Sequence, residues 1–396
     1  VPVASVTGPR LLRTPGLLAA LVMGAAAFGG WAVLLPVVPL IVSLSGGSDT
    51  LAGGVTAVFM AATVLTQFGV PRLLRRWGYR WVLAAGCLLL GPPSLLFLLS
   101  TEAIPVLAVS AVRGAGFGML TVAGSALVAE LVPREMLGRA TGAQGIAVAA
   151  AQMVGLPAGL AIMQHWSATP VFVLGALIPL LAVGAVTRLP HLHPRPAGTA
   201  RGRLPLSVRL VPWLSIATVA AAFGGVSSLL PIAIAERASL AGGVLAVVSG
   251  AAVCGRYAAG SFSDRVGVGR ALMPALAFTC GGLALFAVAA RNGDWIVLVC
   301  AAVMFGFGFG AVQNESLVMI FTAAGPARFG AASAGWNIGF DAGTGFGSLT
   351  LGAVASVAGY SWVFAVAAMA VAVVPATGML VGRALGGRTR PDRIDS

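Results

Sequence analysis

Four ionisable side chains stand deep inside long apolar stretches of this 396-residue chain: Arg113, Arg256, Glu315 and Asp341. An ionised group in hydrocarbon costs several kcal/mol unless it is paired or wetted, so placement alone makes each a candidate for function. The chemistry open to the two acids is proton exchange. A low-dielectric site favours the neutral form of a carboxyl, which lets it take up and release a proton as its surroundings change. Arg113 can serve the same exchange as a fixed positive charge, or form a permanent ion pair with one acid that only locks helix packing. Gln313 and Asn314 adjoin Glu315, and Asn337 precedes Asp341 by one turn, so polar groups are expected around both acids. Phe28, Trp31, Phe223 and Trp336 offer apolar or stacking walls for a small molecule, the alternative being plain packing against neighbouring helices or lipid. The expected site therefore has Asp341, Glu315 and Arg113 as proton-coupling groups. Its expected substrate contacts are Phe28, Trp31, Phe223, Gln313, Asn314, Trp336 and Asn337.

Such residues need apolar helices to carry them. The chain is 58% hydrophobic and 9% charged, against roughly 25% charged residues in a soluble domain, so most of it belongs in lipid. Stretches of about 20 apolar residues, the length that crosses a bilayer, occur at 16–45, 51–71, 81–100, 103–129, 139–163, 170–188, 210–235, 241–263, 271–290, 295–322, 331–357 and 361–382. Six precede and six follow a polar gap that holds Pro190, Pro194, Pro196 and Pro205. This predicts an N-terminal six-helix bundle over 1–188, a linker over 189–209, and a C-terminal bundle with a tail over 210–396.

An internal repeat supports the division. AAFGGWAVLLP at Ala26–Pro36 returns as AAFGGVSSLLP at Ala221–Pro231, matching at eight of eleven positions with an offset of 195. GGVTAV at Gly53 pairs with GGVLAV at Gly242, GAGFG at Gly114 with GFGFG at Gly306, and GRATGAQGI at Gly138 with GAASAGWNI at Gly330. The halves thus run in the same order, an arrangement that places a cavity between them near the bilayer centre. Each copy of the first motif reads as a flexed first helix of its half. Counting from span centres at 1.5 Å per residue, Asp341 lies roughly 4 Å and Glu315 roughly 10 Å inside the midplane, and Arg113 roughly 6 Å outside it. The three are expected to share the middle of one cavity if their helices face it.

The net charge of +13 does not point to nucleic acid, because the arginines cluster in short gaps between apolar runs and form no basic stripe with aromatics. They report orientation instead. With the N-terminus cytoplasmic, twenty arginines fall in the tails and cytoplasmic gaps, and only Arg237 and Arg291 in the opposite gaps, so both ends of the chain are expected in the cytoplasm of a cell-membrane protein. Cys87, Cys254, Cys280 and Cys300 are isolated in apolar runs and offer neither disulfide framework nor metal site. His191 and His193 sit in the linker, where a solvated loop is the plainer reading than a metal site. The chain has no HExxH motif and, lacking lysine, no phosphate-binding GxxxxGK loop, so neither an enzyme nor a cofactor is expected.

One segment carries a family resemblance. Gly260-Ser-Phe-Ser-Asp264-Arg265-Val-Gly267-Val-Gly-Arg270 is similar to the G-x-x-x-D-R-x-G-x-x-R loop that follows helix 8 in the major facilitator superfamily. The N-half counterpart, Gly69–Arg80, keeps Arg76 and Gly78 but has Arg75 where that family has aspartate. Arg113-Gly-Ala-Gly116 resembles its R-x-x-x-G motif on helix 4, and Gly155-Leu-Pro157-Ala-Gly159 partly matches the glycine-proline motif of its antiporters. The resemblance implies an all-α membrane fold of twelve helices in two pseudo-symmetric bundles. It also implies gating by Arg76, Gly78, Asp264, Arg265 and Gly267, with Arg256 close enough to join them, and proton coupling at Arg113. The function it implies is alternating-access transport by a monomer, as proton-coupled efflux of a small amphipathic compound or metabolite. Uptake or sugar transport by the same fold, and a receptor or scaffold that no longer transports, are the alternatives. The absence of Asp and Glu from 16–45 departs from many drug exporters.

Overall fold

The computed structural model describes residues 13–133, 136–186, 188–189, 206–234, 238–325 and 329–387, and the regular structure among them is helical. The first pass is α1 (Leu17–Leu34) and α2 (Val37–Leu44). They are separated at Pro36, whose missing N–H interrupts the backbone ladder. The matching Pro231 lies two residues from the end of α7 (Leu206–Ala233), where the helix is stopping anyway. The expected flexing of both motifs therefore occurs in the first one only.

Helix α3 (Asp49–Leu90) is two passes in one element. Forty-two helical residues would run about 63 Å, twice the hydrocarbon thickness, but Gly78 breaks the run with φ 72° and ψ 175°, a conformation open to glycine. Packing shows the reversal. On α4 (Ala103–Leu131), Gly114 meets Phe59 and Gly118 meets Thr63, so the first arm of α3 runs parallel to α4. Gly116 meets Leu90 while Leu120 meets Gly86, so the second arm runs antiparallel to it. The third pass ends as a 3-10 segment over Pro92–Leu98, because two successive prolines cannot extend the α-helical ladder. The remaining elements are α5 (Leu137–His165), α6 (Ala168–Val186), α8 (Ala238–Val266), α9 (Leu272–Asn292), α10 (Trp295–Ala324), α11 (Phe329–Ala358) and α12 (Tyr360–Gly387). Ten stretches are long and apolar enough to cross a membrane, and one of them is the doubled Asp49–Leu98. With α11, whose Asn337, Asp341, Thr344 and Ser348 lower its apolar character, the described residues make twelve passes. Most of the expected linker lies outside the described residues, as do His191 and His193.

Close approach of helices is built from glycine in both halves. A Cβ at Gly114 or Gly118 would overlap the carbonyls of Phe59 or Thr63, and one at Gly306 or Gly310 would overlap those of Val248 or Ala252. Gly116 and Gly308, between these pairs, face the third and ninth passes in the same way. With lipid as apolar as the side chains, such backbone-to-backbone packing is what holds membrane helices together.

The ends of the molecule differ. One carries the arginines of Arg72–Arg80 and Arg265–Arg270, and the other carries Asp49, Glu102, Asp294 and Tyr360. Across the arginine-poor end the halves are joined. Tyr360 Oη donates to Asp49 Oδ1 at 2.8 Å, Thr50 and Ser356 hydroxyls lie 3.0 Å apart, and Thr56 and Ser228 hydroxyls likewise. Gly53 and Gly352 let α3 and α11 touch there, and Gly242 of α8 approaches Pro157 and Leu160 of α5. Away from that end, Gln67 of the N-half bonds to Asp341 of the C-half.

Candidate functional site

Asp341 sits near the middle of α11, 3% exposed, with Oδ2 accepting from Gln67 Nε2 at 2.7 Å. Gln67 belongs to the first arm of α3, and the same Nε2 lies 3.2 Å from Thr121 Oγ1 on α4. The acid of one half is thus bound by an amide of the other. Among the described residues no cation lies within salt-bridge distance of Asp341. Gln67 Oε1 is buried without a hydrogen-bond partner, so the amide has a spare acceptor next to the acid.

Arg113 is elsewhere. It is 3% exposed within the N-half, where Nε donates to Leu90 O at 3.1 Å and a terminal nitrogen donates to Gly30 O at 3.2 Å. The Phe59 and Phe97 rings flank the guanidinium at 5.6 and 5.7 Å. Neither Asp341 nor Glu315 pairs with it, so the ion-pair alternative is not what the geometry holds. Phe28 and Trp31 join Phe117 beside it, Trp31 stacking on Phe117 at 5.4 Å and Phe28 meeting it edge-on at 4.9 Å.

Glu315 takes a different course from the sequence expectation. It is fully buried, and its two oxygens accept from Ser263 Oγ and from the backbone N–H of Gly269. Both donors belong to the 260–270 segment. There Gly267 (φ 110°) and Gly269 (φ 92°) make the left-handed turn that aims the Gly269 amide at the carboxylate. Glu315 therefore fastens a turn at the arginine-rich end, and the expected sharing of one cavity by Arg113, Glu315 and Asp341 is not found. The cause is depth and rotation: Glu315 lies nearest the arginine-rich end, within reach of the turn.

The other expected residues divide. Arg256 donates to Gln313 Oε1. Asn314 Nδ2 is buried without a partner and faces Gly260. Asn337 bonds back to Ser333 O on its own helix at 2.9 Å, so it does not turn to Asp341. Trp336 Nε1 donates to Ser316 Oγ, and its ring stacks on Phe340, while Phe223 stacks on Phe309 at 4.6 Å. Arg76 and Arg265 are exposed at the arginine-rich end, and the Asp264 side chain lies outside the described residues.

Comparison with known proteins decides the family. A family model described as Major Facilitator Superfamily matches residues 20–334. The chain belongs to the major facilitator superfamily. Its backbone superposes on the crystal structure of the nucleoside transporter NupG (D323A mutant) with a TM-score of 0.73 at 12% identity, covering 92% of this chain and 99% of that one. A bacterial homologue of the human lysosomal transporter Spinster, solved inward-facing and unoccupied, gives 0.69 at 14% identity, covering 95% and 98%. At these identities the likeness is one of fold. This major facilitator chain is accordingly a multi-pass membrane transporter by family.

Sequence reasoning passed over Gln67, Thr121 and Ser263. A signal for the first two was present in the repeat. The offset of 189 that carries Gly53 onto Gly242 also carries Gln67 onto Arg256, and the offset of 192 that carries Gly114 onto Gly306 carries Thr121 onto Gln313. The polar pair Gln67–Thr121 of one half therefore occupies the place of Arg256–Gln313 in the other.

Proposed function

We propose that this protein is a secondary active transporter that exports a small amphipathic compound in exchange for protons, with Asp341 as the proton carrier. The observation that carries the reading is the Asp341–Gln67 bond. It joins the two halves at mid-depth, so it has to break when they part there. Its strength depends on charge: an ionised carboxylate accepts from the amide, with net worth of about 1.5–3 kcal/mol for a bond to a charged group against about 1 for a neutral one. Protonation thus shifts the balance between the two arrangements of the halves, which is what coupling requires.

In this reading both chain ends face the cytoplasm of the cell's inner membrane, following the arginine bias. The hydrogen-bonded, arginine-poor end then faces outward. The domains are two six-helix bundles acting as a monomer, with the 189–209 linker between them. Glu315 acts on gating rather than on protons, by fastening the 260–270 turn near Arg265 and Gly267. Export over uptake rests on the partial glycine-proline motif of α5. The test is proteoliposomes loaded with a pH-sensitive dye under an imposed pH gradient and challenged with a panel of amphipathic compounds. Export by exchange gives substrate-driven proton movement opposite in direction to the substrate, absent in Asp341→Asn. Proton movement in the same direction, or coupling retained by Asp341→Asn, rejects the reading.

A further inference from the structure

The first arm of α3 ends in three arginines on one face. Arg72, Arg75 and Arg76 stand at i, i+3 and i+4, the spacing that sets helical side chains next to one another, where like charges repel. All three are exposed, and among the described residues none makes an ion pair or a side-chain hydrogen bond. Phe68, 63% exposed, precedes Arg72 by one turn on the same face, and Leu65, 73% exposed, precedes it by two. That face is turned away from the neighbouring helices. Phe59 and Thr63 of the same arm meet α4 at Gly114 and Gly118, while Met60 lies against Gly345 of α11 and Gln67 bonds to Asp341. At 3.6 residues per turn, Leu65, Phe68 and the arginines fall on the side left over, which in a multi-pass membrane protein is the lipid side. The C-half differs at the same place. The offset of 189 that carries Gly78 onto Gly267 sets Ser261, Asp264 and Arg265 where the N-half has Arg72, Arg75 and Arg76. One acid and one arginine cancel there, whereas the N-half face holds three positive charges and no acid.

We propose that this face binds an acidic phospholipid, with the phosphate on Arg72, Arg75 and Arg76 and an acyl chain along Phe68 and Leu65. The occupant has to be negative at the membrane surface and apolar roughly 6 to 10 Å deeper along the helix, which an acidic lipid is and a dissolved anion is not. Guanidinium groups suit phosphate oxygens because their planar forks can bond two at once. A cluster of basic residues next to a span also draws anionic lipid by charge alone, and the apolar face beneath it holds the chain in place. A second copy of this chain does not fit. A two-fold pair in one membrane brings like faces together at the same depth, arginines against arginines. Such a site is independent of what the transporter carries and of how it is coupled.

The experiment uses the full-length protein purified in detergent, with dioleoyl phosphatidylglycerol, dioleoyl phosphatidylcholine and inorganic phosphate as probes. Bound lipid is measured by native mass spectrometry and the melting temperature is followed alongside. Phosphatidylglycerol is expected to bind and to raise the melting temperature. Phosphatidylcholine, with the same chains and no net charge, should bind about tenfold or more weakly, the size set by two or three basic residues at a charged surface, and phosphate should give no shift. Arg72→Gln and Arg75→Gln should each weaken phosphatidylglycerol binding about fivefold, the size of one such residue. Arg75→Asp, which copies the C-half, removes the preference for the acidic lipid. Phe68→Ser weakens both lipids and keeps the preference. Arg270→Gln takes an exposed arginine from the same end of the C-half and should leave binding unchanged, which separates this face from net charge. Equal binding of the two lipids, a phosphate shift matching that of phosphatidylglycerol, a preference retained in Arg75→Asp, or a loss in Arg270→Gln as large as in Arg75→Gln overturns the proposal.

Discussion

The two halves share a scaffold and divide the chemistry. Gly114, Gly116 and Gly118 bring α4 against both arms of α3, and Gly306, Gly308 and Gly310 bring α10 against α8 and α9 in the same register. The charges are not repeated. Arg113 has Phe305 at its equivalent place, buried in a stack of rings with Phe309, and Glu315 has the buried Ala123. Where the C-half sets Arg256 on Gln313, the N-half sets Gln67 on Thr121 and turns that amide to Asp341 of the other half. Duplication thus supplied packing twice, while each buried charge was placed once. Residues that fix the helix spacing answer to both halves, and residues that do chemistry answer to one.

The largest effect is expected where the halves agree. Gly114→Leu and Gly306→Leu would each drive a side chain into a backbone carbonyl, and each should destabilise the protein by about 3 kcal/mol or more, seen as loss of the monodisperse peak and a lowered melting temperature. If one is tolerated and the other is not, the shared scaffold is refuted. Next comes a swap at the place where the halves differ. Gln67→Arg copies the C-half charge into the N-half opposite Asp341, and the resulting buried pair across the halves should raise the melting temperature while stopping substrate-driven proton movement. Unchanged proton movement would mean that the Gln67–Asp341 contact does not govern the change of state.

The two buried acids separate by a third measurement. Glu315→Gln weakens charge-assisted bonds worth about 1.5–3 kcal/mol and should speed amide exchange and proteolysis across 260–270, leaving proton coupling in place. Asp341→Asn should do the reverse. The smallest effect is at the arginine-poor end. Tyr360→Phe removes one bond to Asp49, worth about 1 kcal/mol, and should increase the population open at that end several-fold, measured by distances between spin labels on α3 and α11.

Much of this was legible in the chain. Glycine motifs repeated at fixed offsets marked the duplication, and the spans follow from apolar length. The fold is therefore as expected, apart from the run through Pro231; the spans at 51–71 and 81–100 are two passes that turn at Gly78. The partners of the acids were less legible. Spacing along α11 fixes the depth of Asp341 but not its rotation, so it could not say that Gln67 would be its donor. The partners of Glu315 were not legible because half of its binding comes from a main-chain amide at Gly269, and such a donor has no signature in residue type. The repeat held a usable clue in the alignment of Gln67 with Arg256, since a polar residue at the same place in both halves marks a position that faces polar surroundings.

The closure at the arginine-poor end is made of hydroxyl pairs and a neutral phenol on the Asp49 carboxylate, with no ion pair between the halves there among the described residues. Screening by dissolved ions weakens charge–charge attraction far more than it weakens bonds between hydroxyls. The seal should hold equally in fresh and in briny surroundings, leaving the swing of the bundles unaffected by the ionic strength on that face of the membrane.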